Sequence, residues 1–150
     1  MVLPASGLFV VTEVDLRDTT QLAVDYDLDT HRGALWTDTG TYDLTTDTAF
    51  GVAPWNANEA SGAGYTAGGA LVTGTVFTHI SGGNLRFDAN DTTWTTVTVT
   101  SVRGIMLYAD ALAGNNGLMV INFGGLFTVT AGNFNVQWAA NGIWEHDVTS

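Results

Sequence analysis

The 150-residue chain contains no cysteine, which excludes disulfides, thiolate-held zinc and cysteine nucleophiles. Its stability must come from packing. Lysine is missing as well, so Arg17, Arg32, Arg86 and Arg103 stand against 15 acidic residues and the formal charge is -11. A nucleic-acid partner demands a basic face that neutralises phosphates, and four cations cannot build one. An anionic membrane surface would repel the chain too. No apolar run is long enough to cross a bilayer, and the opening Met1-Val-Leu-Pro-Ala-Ser6 has neither the basic start nor the apolar stretch of a secretory signal. Charged residues make up 13% of the chain and hydrophobic ones 45%, a balance unlike that of a disordered tail or a charge-rich cytosolic enzyme.

What is abundant is glycine (18 residues), threonine and aromatic side chains (11%). β-Branched and aromatic residues suit a pleated surface and glycine supplies turns, so the composition predicts an all-β fold. The length suits one domain with a real core. In residues 22–28, Leu22, Val24, Tyr26 and Leu28 alternate with Ala23, Asp25 and Asp27, which reads as a half-buried strand. Residues 69–80 read as one long strand, and residues 84–87 as its hairpin partner beyond the Ser81-Gly82-Gly83 turn. Trp94, Val97 and Val99 alternate with threonines, but the alternation slips near Thr95-Thr96, which predicts a β-bulge. Residues 102–108 are more continuously apolar and so more deeply buried. Residues 118–123, 126–129, 134–138 and 142–145 complete a run of short strands, while Thr12 to Asp15 predicts one short helix capped by Thr12. Residues 37–63 are the least regular stretch and read as a long excursion on the same domain. This spacing, without repeated βαβ alternation, predicts an antiparallel β-sandwich or jelly-roll-like single domain over residues 26–150, preceded by an N-terminal arm or extension over residues 1–25.

Several blocks carry a family likeness. Glu59-Ala-Ser-Gly-Ala-Gly-Tyr-Thr-Ala-Gly-Gly-Ala70 is similar to "NEVSGTGYTAGG", and the stretch from Asp91-Thr-Thr-Trp94 through Arg103-Gly-Ile-Met-Leu-Tyr108 to "DVTWTNATITARGALIY". Leu118-Met-Val-Ile-Asn-Phe-Gly124 with Ala131-Gly-Asn-Phe-Asn-Val-Gln-Trp138 and Ala139-Ala-Asn-Gly-Ile-Trp144 is similar to "LDFG…GDFTIQWNAAGIL", and Tyr26-Asp-Leu-Asp-Thr30 through Ala34-Leu-Trp-Thr37 to "IDLDTDTIKVALLTS". Together these resemble small tailed-bacteriophage virion structural proteins. The likeness spans Tyr26 to Trp144; residues 1–25 and Pro54-Trp55-Asn56 have no counterpart. The resemblance implies a non-enzymatic capsid decoration (cement) protein, made in the bacterial host cytoplasm and bound as a homotrimer to the major capsid protein on the outer face of the virion, with no cofactor. A tail, head-fibre or receptor-contacting component is the alternative on the same fold, and a glycan-binding or glycan-directed β-sandwich is a third reading.

Candidate chemistry is sparse. Gly62-Ala-Gly64-Tyr-Thr-Ala67 formally fits G-x-G-x-x-A, but that fingerprint works only where a helix follows and its N-terminus meets the pyrophosphate. A β-rich stretch follows here, so a glycine turn approaching a neighbouring backbone is the better reading. Asp25, Asp27 and Asp29 suggest calcium, yet residues two apart on a strand are separated by about 6.6 Å, too far for three to chelate one ion. They read as a solvated acidic face, and Asp88 with Asp91 as turn caps. Glu145-His146-Asp147 puts acid and base types side by side without a partner nucleophile, and His31 and His79 lack metal-ligand spacing, so no catalytic or metal site is expected.

The interface candidates are Leu8, Phe9, Val10 and Val11, an apolar run expected to become buried only on assembly; Trp55, expected to be exposed beside Pro54; Trp144 near the last strand; and Arg103, expected to pair with a carboxylate. Trp94 and Trp138 read as core.

Overall fold

The computed structural model describes residues 6–149; the first five residues of the expected arm lie outside them. In chain order come β1 (Gly7–Leu8), α1 (Val10–Asp15), β2 (His31–Trp36), β3 (Ala70–Val72), β4 (Val76–His79), β5 (Asn84–Asp88), β6 (Thr92–Ala109), β7 (Gly117–Val136) and β8 (Trp144–Asp147). They form two antiparallel sheets, one in the order β1-β7-β6-β2-β3 and one in the order β4-β5-β8. The protein is all-β, with two sheets sharing a core, as the composition predicts.

The centre of the large sheet is in register: His31, Gly33 and Leu35 face Ala109, Leu107 and Ile105, while Met106 pairs with Val120 and Leu107 with Met119. Period-two geometry sends alternate residues to opposite faces, and here both faces are covered. Leu35, Ile105, Leu107 and Ala109 pack in one core with Tyr26, Phe87 and the partly buried Phe77 and Trp144 of the small sheet. Ala34, Trp36, Met106, Tyr108 and Val120 form a second core on the far face, closed by Phe9, Trp55, Tyr42, Leu44 and Phe50. The irregular stretch is thus a lid of aromatics, with Trp36 and Trp55 rings 5.0 Å apart and Phe50 stacked on Tyr108 at 4.4 Å.

Four expectations about elements change. Residues 22–28 are not a strand, because the Asp25 carboxylate accepts from the Asp27 and Leu28 N–H groups and curls the chain into a turn that competes with ladder pairing. Tyr26 is still buried, whereas Leu28 is 85% exposed. Residues 69–80 break into β3 and β4, which belong to different sheets, because Gly74 sits at φ +64° between them. Residues 92–109 and 117–136 are two long strands instead of several short ones, their interruptions being bulges that leave the pairing intact. The bulge expected near Thr95-Thr96 is present: register shifts between Trp94 and Val97, and Thr96 has φ +53°. Helix α1 starts at Val10, two residues before the expected cap, and Thr12 Oγ1 donates to the buried Gly117 carbonyl at 2.6 Å. Among the described residues no helix is long and apolar enough to cross a membrane.

Candidate interaction groove

Helix α1 is short but has two distinct faces. Phe9, at its N-cap, is completely buried 5.5 Å from the Trp55 ring, its N–H donating to Leu118 O, and Thr12 is tied to Gly117. Those anchors press one face of α1 on the edge of the large sheet. Val10 and Val14, spaced i,i+4, are left on the other face, 45% and 52% exposed. Glu13 and Arg17, also i,i+4, form an ion pair at 2.5 Å, and the Tyr26 hydroxyl reaches Glu13 at 3.4 Å.

Opposite this face stands β8, an edge strand of the small sheet. Its period-two alternation places Trp144, His146 and the following Val148 along one wall, with Leu85 of β5 beside them. The Trp144 ring is held 5.7 Å from Phe77 and 6.4 Å from Tyr26. Between the walls runs a groove of about 750 Å³, whose lining also includes Leu8, Val10, Val14 and the Glu13–Arg17 pair. Apart from that pair and His146 its lining is apolar, and the two charges largely neutralise each other. A concave, solvent-open apolar surface of this kind is suited to binding another apolar surface.

The structure brings together three of the interface candidates, Leu8, Val10 and Trp144, and separates the rest. Phe9 and Trp55 are corrections: both are core residues of the single chain, at 0% and 1% exposure, and the Trp55 Nε1–H donates to Asp47 Oδ2 at 2.9 Å. Neither waits for a partner to be buried. Val11 is half-buried and does not line the groove. Arg103 lies in β6 where Val102 pairs with Phe127 and Gly104 with Asn122, opposite a bulge of β7. No carboxylate lies within ion-pair distance of it among the described residues, where the Glu13–Arg17 bridge is the one found. The groove residues that reading the sequence passed over are Glu13, Val14, Arg17, Leu85, His146 and Val148. The doubled i,i+4 spacing Val10/Val14 and Glu13/Arg17 was a signal that could have found the helix wall.

The glycine-rich block is a clamp. A Cβ on Gly62 would stand 1.8 Å from Thr98 O, on Gly64 2.5 Å from Thr96 O, and on Gly69 1.9 Å from Gly33 O. Close backbone approach is what these glycines permit, and a strand follows them, so the helix a dinucleotide needs is missing. Glu59 Oε1 accepts from both Tyr65 OH and Gly68 N–H at 2.8 Å, Tyr65 Oη accepts from Leu35 N–H at 2.9 Å, and Tyr108 OH donates to Gly68 O at 2.8 Å. Burial, then the Glu59 carboxylate, holds the Tyr65 phenol well above its ordinary range, and burial pushes Tyr108 up to about 12. Both phenols therefore stay protonated near neutrality and act as hydrogen-bond donors, not bases.

Asp88 and Asp29 act as local caps, accepting from Ala89 N–H and Asp25 N–H. Asp91 and Asp27 instead reach across the fold, accepting from Trp138 N–H and Phe77 N–H, so Asp91 is not the turn cap expected of it. No group of three His, Cys, Asp or Glu side chains among the described residues is arranged to hold a metal ion. Compared with protein-family models, with curated proteins and with solved structures, the chain matches none.

Proposed function

We propose that this protein is a non-enzymatic structural component of a tailed-phage virion, a capsid decoration protein that docks on the outer shell through the groove between α1 and β8. The observation that carries the reading is that groove: an open apolar surface framed by a core-anchored helix and an edge strand. Two further features support it. The blocks that resemble phage virion proteins are the ones that form the glycine clamp and the β6–β7 hairpin, and the acidic balance of -11 suits a protein displayed outward at high density. The major capsid protein is the proposed partner, and repetition of modest contacts over a symmetric shell supplies the avidity. A homotrimer is the state the resemblance suggests. A tail or head-fibre component would use the same domain, while the glycan-directed reading loses Trp55 as its stacking platform because that ring is buried.

The test adds purified protein to particles lacking it and measures occupancy and heat resistance. Val10→Asp with Val14→Asp is expected to abolish binding while leaving the strand signal in circular dichroism unchanged. Full occupancy by that variant removes the groove as the attachment surface, and localisation of the intact protein only at the tail tip favours the head-fibre or tail reading.

A further inference from the structure

A second surface differs from the groove in charge. Residues 111–144 contain no Asp, Glu, Lys, Arg or His, so all of β7 is without an ionisable side chain, in a chain whose formal charge is -11. β6, its neighbour, carries one charge, Arg103. Beyond Val120, where β1 stops pairing, β6 is the single strand neighbour of β7 among the described residues. Among the described residues the strand therefore offers an open edge from Phe123 onward, past the Asn122 N–H that donates to Ser6 Oγ.

Protected edges carry lysines, prolines or inward-pointing charges. This edge has none of them. Its protection is limited to bulges: residues 123–126 swell out between the Asn122–Gly104 and Phe127–Val102 pairs, and Ala131 sits at φ +46°. The bulges spoil a flat ladder but push apolar side chains outward. Leu126 and Phe127 are 55% and 47% exposed, and Phe127 stands edge-on to Phe123 at 5.9 Å. Hollows of about 270 and 300 Å³ flank Phe127 and Phe134.

We infer that this strip is where copies of the chain meet, Leu126 and Phe127 of one copy seating in the hollows beside Phe127 and Phe134 of the next. Charge selects the occupant. Two copies repel each other wherever carboxylates face, and this strip is where they approach without that cost. A cationic partner would be steered elsewhere, toward carboxylate-bearing turns such as Asp25-Tyr-Asp-Leu-Asp29. Because the rest of the surface is repulsive, added salt should strengthen the association by screening it, the reverse of a contact held by opposite charges. The inference does not rest on the virion reading, since it concerns copies in solution.

Sedimentation equilibrium of the full chain tests it. The intact protein is expected at a multiple of its 15.8 kDa mass, with the oligomer favoured by salt. Leu126→Asp with Phe127→Asp should shift the mass to that of the monomer, whereas Leu28→Asp, at a still more exposed apolar position elsewhere, should not. The absence of cysteine gives a second route that needs no loss of folding: oxidised Leu126→Cys should cross-link between copies and Leu28→Cys should not. A monomeric intact chain at every concentration, an oligomer indifferent to the aspartates, or cross-linking that favours Leu28→Cys would each overturn the proposal. Particle occupancy is a separate measurement, so failure here and failure of the virion reading are told apart.

Discussion

The two halves of the β6–β7 hairpin share strands and differ in almost everything else. The inner half, from Gly104 to Ala109 against Gly117 to Asn122, pairs with a single shift and is covered on both faces by aromatics. The outer half, Thr92 to Val102 against Phe127 to Val136, shifts register three times between Trp94 and Val102 and buries one face, with Val97, Val99 and Val102 inside and Thr93 and Thr100 outside. Positive φ at Thr96, Ser101 and Ala131 accompanies the shifts. Coverage on both faces is what allows a near-continuous apolar run; coverage on one face demands alternation. A single strand thus changes its sequence grammar where its surroundings change.

Trp36→Ala should be the most damaging change. It empties the centre of the second core, where Trp36 meets Trp55 and Phe50, and the expected loss is about 3–5 kcal/mol by urea denaturation. A loss below ~1 kcal/mol would mean that the aromatic lid does not hold the inner half closed.

Gly62→Ala tests how the outer half is covered. The added methyl overlaps Thr98 O, which is backbone and cannot rotate away, and an expected cost on the order of 3 kcal/mol follows from overpacking at a positive φ. Gly124→Ala, at φ +76° with nothing within 4 Å, should cost about 1 kcal/mol, the strain alone. Equal losses at both positions would deny the clamp.

Much of this was legible in the sequence, and the failures have physical causes. The continuous apolar stretch Ile105-Met-Leu-Tyr108 announced burial, and the slip at Thr95-Thr96 announced a bulge. Period two at Leu22, Val24 and Tyr26 was misleading, because Asp25 at the right position bends the backbone as strongly as alternation extends it. Phe9 and Trp55 looked like free surface since each lies in a segment without its own periodicity; their burial depends on contacts between residues 46 positions apart, which no local pattern encodes. The groove was half visible for the same reason: its helix wall has local spacing, while its opposition to β8 is a tertiary fact.

His31, paired with Ala109 at the inner end, ties the comparison to pH. Its ring is buried between Tyr26 and Phe87, its Nε2 lies 3.2 Å from Asp25 O, and burial lowers its pKa below the ordinary value of 6.5. The unfolded chain therefore takes up a proton first on acidification. His31 contributes no penalty above pH ~6.5, and stability falls progressively as pH drops below that value toward the folded pKa. Melting temperatures from pH 7.5 to 5 should fall more steeply for the intact chain than for His31→Asn. Parallel profiles would assign the acid sensitivity to the carboxylates alone.

The smallest effect separates the two halves most cleanly, because it uses one substitution twice. Thr12→Ala removes a buried hydroxyl and leaves the Gly117 carbonyl at the inner end without that donor, an expected cost of about 1–3 kcal/mol. Thr100→Ala on the outer half removes an exposed hydroxyl from the wet face of β6, where water replaces whatever is lost, so the change should stay within about 0.5 kcal/mol. Denaturation of dilute protein isolates this intramolecular difference, since self-association through the hairpin edge would add stability that depends on concentration. If Thr100→Ala proved costly in dilute solution, the outer face of β6 would have to be packed within the single chain, and the contrast between a doubly covered inner half and a singly covered outer half would fail. If it became costly only at high concentration, the wet face would join Leu126 and Phe127 in the surface where copies meet.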